Sequence, residues 1–244
     1  MRLTFMLCKY LSYLFASLHH RLINVRFCKC PAFIQNAIDN RFEVLRSVWY
    51  ARIVRRAISF LIRTPAKENI LKLITVKISI PEGQGCIIAM CRTPWRRLLV
   101  QWCLNENFGL VITGIPYHDH DKRRRIHRKG RGVTELRELI WHLRTGGRII
   151  AIVDIFNNLN NCPINFMGSQ QNISLFVERL ANLANVPILV NIPRLSNRSF
   201  DFIYGPNFLS NGITPKEGIL TRRIISFLET EIRTNPAIWA KYVK

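Results

Sequence analysis

Acidic residues are scarce in this chain. Over 244 residues, 15 Asp and Glu stand against 36 Lys and Arg, a formal net charge of +21. A balance this one-sided excludes an indifferent surface and points to an anionic partner: acidic lipid, phosphorylated glycolipid or nucleic acid. Paired cysteines are missing too. The seven cysteines (Cys8, Cys28, Cys30, Cys86, Cys91, Cys103 and Cys162) are odd in number and contain no Cys-x-x-Cys spacing, so neither a zinc site nor a disulfide framework can be built from them. Reduced thiols facing a cytosolic compartment are the default for such a set. Long apolar runs are absent near the N-terminus, where the uncharged stretch Tyr10–Leu18 falls far short of the ~20 residues that cross a bilayer. It cannot span alone. No internal repeat or low-complexity tract is evident.

What is present is enough apolar material for a sizeable core, 48% of the residues, and this predicts one α/β domain over 66–244 preceded by a helical appendage over 1–65. Met1 to Leu18 sets Leu3, Phe5, Met6, Leu7, Tyr10, Leu11, Tyr13, Leu14 and Phe15 around Arg2 and Lys9. The pattern fits an interfacial helix lying on a membrane or a plain core helix. It also has the charged start of a signal peptide, but Ala16-Ser-Leu18 is a poor cleavage site. Between Asn40 and Arg63, Phe42, Leu45, Trp49, Ile53 and Phe60 recur near helical spacing, and Arg41, Arg46, Arg52, Arg55, Arg56 and Arg63 supply the other surface. That is an amphipathic, arginine-rich helix. Its arginines suit either a solvated face or a surface pressed on anionic headgroups.

From Leu71 the texture alternates between strand and helix. Leu71–Ile80 reads as a strand or a helix end, Cys86–Met90 as a buried strand, and Phe108–Thr113 as another apolar run. Asp121–Arg131 packs seven Lys or Arg into 11 residues, a cationic loop between two core elements. A helix follows on Val133, Leu136, Leu139, Ile140 and Leu143 and ends at Gly146-Gly147. Arg148–Phe156 is a β-branched strand bearing Asp154 near its carboxyl end, where an acid serves as a turn or helix cap or as a functional group. Ser174–Asn185 is a helix, Val186–Arg194 a strand, and Phe200–Tyr204 a short edge strand. Thr214-Pro-Lys-Glu217 carries the signals of a helix start, and the helix through Leu220, Ile224, Phe227, Leu228 and Ile232 stops at Asn235-Pro236. This order predicts a mainly parallel or mixed sheet covered by helices.

The stretch that organises the rest is Gly85-Cys-Ile-Ile-Ala-Met-Cys91-Arg-Thr-Pro-Trp95-Arg96-Arg97. Pro94 breaks the extended run and keeps Thr93 out of the helical region, which leaves Cys91 and Arg92 in the loop at a strand's carboxyl end. Open α/β sheets bind ligands there. An isolated thiol in such a loop is more often packed and inert than nucleophilic.

That stretch is similar to the strand and the His-x-x-x-x-Glu/Asp loop of the lysophospholipid acyltransferase superfamily, and within it of the lipid A lauroyl/myristoyl acyltransferases and their mannoside-acylating relatives. Leu143-Arg-Thr-Gly146, Arg148-Ile-Ile-Ala-Ile-Val-Asp154 and Pro163-Ile-Asn-Phe-Met-Gly168 resemble the family's Lys-x-Gly turn, strand ending in Asp, and Val-x-Phe-Phe-Gly block. Phe227-Leu-Glu229-Thr-Glu-Ile232-Arg-Thr-Asn-Pro236-Ala-Ile-Trp239 resembles its closing signature. Together these cover about two-thirds of the chain.

The resemblance implies a protein on the cytoplasmic face of the inner membrane that moves a fatty acyl group from acyl carrier protein or coenzyme A thioester to a glycolipid hydroxyl, with no metal or other cofactor. Cys91, Arg96 and Asp154 stand at the catalytic positions. Arg128 or Arg131 approximates an arginine that holds the acceptor's phosphate, and Arg194 a later one. The departure is chemical: in the family a histidine is the general base and an acid five residues on orients it, whereas here those positions are Cys91 and Arg96. No histidine in the chain has Asp or Glu five residues later.

A thiol whose pKa is lowered by Arg92, Arg96 and Arg97 could act as base or acyl carrier. The alternatives are a catalytically silent glycolipid- or anionic-membrane-binding protein on the same frame, and a nucleic-acid-binding protein using the basic loop. The last is weakened because no Phe, Tyr or Trp interleaves the charges of Asp121–Arg131 to stack on bases.

Overall fold

A computed structural model describes residues 2–24, 41–62, 64, 67–77, 83–95, 98–99, 102, 109–112, 126–128, 133–154, 161–195, 199–208 and 218–239. Its elements, in chain order, are α1 (Arg2–Asn24), α2 (Arg41–Leu61), α3 (Lys67–Leu71), β1 (Ile74–Lys77), β2 (Cys86–Met90), β3 (Gly109–Ile112), β4 (Ile126–Arg128), α4 (Val133–Arg144), β5 (Arg148–Ile152), β6 (Asn161–Phe166), β7 (Ser169–Ser174), α5 (Phe176–Ala184), β8 (Ile188–Leu195), β9 (Phe200–Phe208) and α6 (Ile219–Thr234), closed by a 3-10 turn at Pro236–Ile238.

The main sheet has the order β1-β9-β8-β2-β5-β3-β4. All its pairings are parallel except β8 with β9, so the expected mixed α/β sheet is what forms. The alternation of side chains along the strands then divides the core. Ile87, Ala89, Ile149, Ala151, Ile188 and Val190 meet α4, α5 and α6 on one face. Cys86, Ile88, Met90, Ile150 and Ile152 meet α2 and α3 on the other. Two helical layers therefore sandwich one sheet.

The N-terminal helices lie in the second layer. Among the described side chains of α1, Cys8, Ser12 and Ala16 are buried, one turn apart each, and their small size lets α1 approach α2 closely. The buried stripe of α2 is Leu45, Val48, Ala51, Val54 and Ile58. Its larger aromatics reach across to α1, with Phe42 edge-on to Tyr13 at 5.5 Å and Trp49 stacked on Phe15 at 5.1 Å.

Two expectations are corrected, the edge strand and the start of the last helix. Phe200–Tyr204 is no edge strand: β9 continues to Phe208 and is flanked by β1 and β8. The Leu71–Ile80 run splits at Lys72-Leu73, so that Ile74–Lys77 covers β9 in register with Phe200–Ile203. Pro206 is tolerated because it falls at the irregularity between Leu189 and Asn191 of β8, where no ladder donor is needed. Pro163–Gly168, for which no element was expected, belongs to a separate β6–β7 hairpin whose two turn residues, Met167 and Gly168, both have positive φ. The last helix begins at Ile219, directly after Gly218 at φ 66, and not at Thr214. Thr214–Glu217 lie outside the described residues. The amides at the start of α6 are capped from a distance, because Thr221 donates both its N–H (2.9 Å) and its hydroxyl (2.6 Å) to Glu178 of α5.

The end of α4 matches its glycine signal. Gly147 N–H donates to the His142 carbonyl and Gly146 N–H to that of Leu143, with Gly146 at φ 86: a Schellman ending. Cys86 N–H then donates to the Gly147 carbonyl, which sets this turn against the start of β2. A Cβ on Gly85 would overlap the main-chain carbonyl of Leu143. Gly85→Ala is expected to destabilise the protein by about 3 kcal/mol, the upper range for forced overpacking, read as a lower urea midpoint with an unchanged slope.

Candidate functional site

Strands β8, β2 and β5 are adjacent and parallel, and their carboxyl ends form one edge. Met90 pairs with Ile152, and Val153 N–H still donates to the Met90 carbonyl at 2.9 Å. One residue further on, the ladder changes partners. Arg92 N–H donates to Asp154 Oδ1 at 2.6 Å, so a carboxylate takes the place of the next main-chain acceptor. The Arg92 guanidinium donates through Nη2 to the Asp154 carbonyl at 3.0 Å, and its Nε lies 3.7 Å from Oδ2. Trp239, just past the closing 3-10 turn, donates its indole N–H to Oδ2 at 2.6 Å. Asp154 is 0% exposed.

The two N–H donors and the guanidinium favour the ionised carboxylate, but burial outweighs them and holds the pKa above the ordinary aspartate value. Asp154 is thus a structural junction of β2, β5 and the chain's last described segment.

Cys91 sits in the expected loop and is packed, the commoner state of an isolated thiol there. It is 0% exposed, belongs to the apolar cluster beneath α4 to α6, and has the Ile238 carbonyl 3.9 Å from its sulfur. Burial drives its pKa well above the thiol norm, and the Asp154 carboxylate pushes the same way. The expectation that arginines would lower it is therefore reversed. Arg92 spends its guanidinium on Asp154, and Arg96 and Arg97 lie outside the described residues. The turn itself is local chemistry: Thr93 is buried and accepts the Trp95 N–H on its hydroxyl at 3.2 Å, and Trp95 packs edge-on to Phe200 at 5.3 Å.

The arginines expected to bind substrate divide. Arg194 is on β8 at the same edge, two residues beyond the level of Cys91, and its Nη2 donates to Glu231 Oε2 of α6 at 2.8 Å. Arg128 ends β4 in register with Ile112. The sheet order puts it three strands from β2, roughly 14 Å at 4.8 Å per strand. Arg131, like most of the cationic loop, lies outside the described residues.

Sequence reasoning missed Arg92 as the partner of Asp154 and Glu231 as the partner of Arg194. It placed Trp239 only in a closing signature; the signal was there, an indole three residues after a helix-stopping proline. Among the described residues, no cluster of His, Cys, Asp or Glu is arranged to hold a metal ion. The chain matches no protein-family model and no curated protein.

Two outcomes follow. Iodoacetamide at neutral pH is expected to leave Cys91 unmodified in the native protein and to alkylate it once denaturant is added, as peptide mass spectrometry reads. Asp154, with a folded pKa above its unfolded one, contributes stability that is fully present below the unfolded pKa and is lost as pH rises through the folded value. In Asp154→Asn that loss with rising pH is expected to vanish. The whole curve drops by about 1–3 kcal/mol, because the amide NH₂ faces one of the two N–H donors. Urea unfolding across a pH series measures both.

Proposed function

We propose that this protein binds an anionic, glycolipid-bearing membrane surface on an acyltransferase-like frame without performing acyl transfer. The observation that carries the membrane part is the outer face of α1. Met6, Leu7, Tyr10, Tyr13 and Leu14 recur at helical spacing opposite the buried Cys8, Ser12 and Ala16, and all are exposed, Met6 at 70% and Tyr10 at 64%. Beside them α2 supplies Arg46, Arg52, Arg55 and the exposed Arg56, with Arg52 over the Trp49 ring at 4.9 Å. An apolar stripe flanked by guanidinium groups fits the boundary between headgroups and acyl chains. Among the described residues no helix is long and apolar enough to cross a membrane, so the contact proposed is interfacial. By the family resemblance, that surface would be the cytoplasmic face of the inner membrane.

The silent part of the proposal is supported by the buried junction. A general base must reach the hydroxyl that it deprotonates. The residue at the base position is a sealed, protonated thiol, and the strand-end acid is consumed by Arg92 and Trp239. The acyltransferase reading keeps the frame and lacks the group that would do the work. A nucleic-acid role leaves the α1 stripe unexplained.

Co-sedimentation with phosphatidylglycerol vesicles is the test. Binding is expected to weaken with salt and to fall about tenfold or more in Leu7→Asp/Leu14→Asp, two exposed positions whose insertion burial would be lost. Acyl-coenzyme A and acyl carrier protein donors with a lipid A-type acceptor are expected to give no transfer. Transfer by the wild-type protein that disappears in Cys91→Ala would overturn the silent reading. Tight binding to duplex DNA with none to vesicles would overturn the membrane reading.

A further inference from the structure

The other helical layer has an outward face of its own. On α4, Arg137, Trp141 and Arg144 fall at i, i+4 and i+7, so they share one side of the helix. All three are exposed, and Trp141 is 69% exposed, as open as any residue of the α1 stripe except Met6. On the neighbouring α5, Arg179 and Leu183 are one turn apart and exposed, Leu183 at 50%. The two faces join, because Arg144 Nη2 donates to the Leu183 carbonyl at 2.8 Å. Half-buried Ile140 and Phe176 lie at the margin. Of the acids on these helices whose side chains are described, Glu178 is buried and held by Thr221, which leaves Glu138 on the exposed side.

A large exposed indole and a leucine among three arginines have the composition of a protein-binding hot spot rather than of a solvated helix surface. Three occupants compete. A membrane is disfavoured by the layering: α1 and α2 lie across the sheet from α4 and α5, so a bilayer on the α1 face is on the far side of the molecule. That exclusion rests on the membrane reading above, whereas the charge and exposure of the face do not. A second copy of the chain is disfavoured by its charge, +21 against +21. An acidic protein surface is complementary to the arginines and leaves the apolar pair to be covered.

We propose that the outer face of α4 and α5 is a docking surface for an acidic protein, anchored by Trp141 and Leu183 and steered by Arg137, Arg144 and Arg179. The geometry suits an amphipathic helix laid along the α4–α5 seam, its apolar side on Trp141 and Leu183 and its carboxylates reaching the arginines.

The test places the photo-reactive residue benzoylphenylalanine in the full chain, in cells, at position 141 and separately at position 6. Position 141 is expected to give one discrete protein adduct. That protein, purified, is expected to be acidic and to bind the wild-type chain with an affinity that falls about tenfold in Arg137→Glu/Arg179→Glu and in Trp141→Ala. These positions are exposed, and circular dichroism checks that the variants fold. Adducts at 141 that are lipid, a second copy of the chain, or no discrete species overturn the proposal, as does an affinity unmoved by charge reversal. A protein adduct at 141 with no lipid adduct at 6 leaves the docking surface standing and removes the membrane reading.

Discussion

One buried carboxylate holds the carboxyl edge of the main sheet together. Asp154 is taken wholly out of water, which for an acid is tolerable only when donors replace the lost hydration. Those donors come from separate parts of the chain: the main chain and guanidinium of Arg92 after β2, and the indole of Trp239 after α6. The arrangement closes the top of the sheet like a keystone, with the loop after β2 unable to move away from β5 without uncovering a charge. Cys91 is buried as a by-product, since the loop that carries it is pinned immediately beyond it.

The same geometry explains why the loop after β2 offers no proton acceptor to solvent. In a functional site the strand-end loop must present a proton acceptor to solvent and substrate. In this protein the loop is turned inward: Arg92 is held by Asp154 and the Thr93 hydroxyl by the Trp95 N–H. A neutral thiol costs nothing to bury at that place, whereas a histidine would have needed a second partner. At the same edge Arg194 is engaged by Glu231 and Arg92 by Asp154. The exposed chemistry lies elsewhere, on the outer faces of the two helical layers.

Where local chemistry decides structure, the residues announced it. The β2 strand, the arginine-rich α2, the glycine ending of α4 and the loop position of Cys91 follow from periodicity, from Gly146-Gly147 and from Pro94, all signals carried within a few residues. Non-local pairing was not legible. Nothing in Phe200–Tyr204 says that Ile74–Lys77 will cover its far side, and Met167 gives no warning that it will adopt a positive φ in a hairpin turn. The direction of the Cys91 pKa failed for a related reason. Counting nearby arginines along the sequence says nothing about which acid will claim them, and Asp154 claims Arg92 from 62 residues away.

The separation between Asp154 and Trp239, 85 residues, has a consequence for how the chain is made. Synthesis runs from the N-terminus, so β2 and β5 emerge well before the indole that completes their junction, and β1 waits likewise for β9. Until that late stretch has left the ribosome, the nascent sheet holds an acid without its full set of donors and strand edges without neighbours. The half-made domain is therefore a highly basic intermediate with open strand edges, and its escape from aggregation depends on how soon the C-terminal stretch docks.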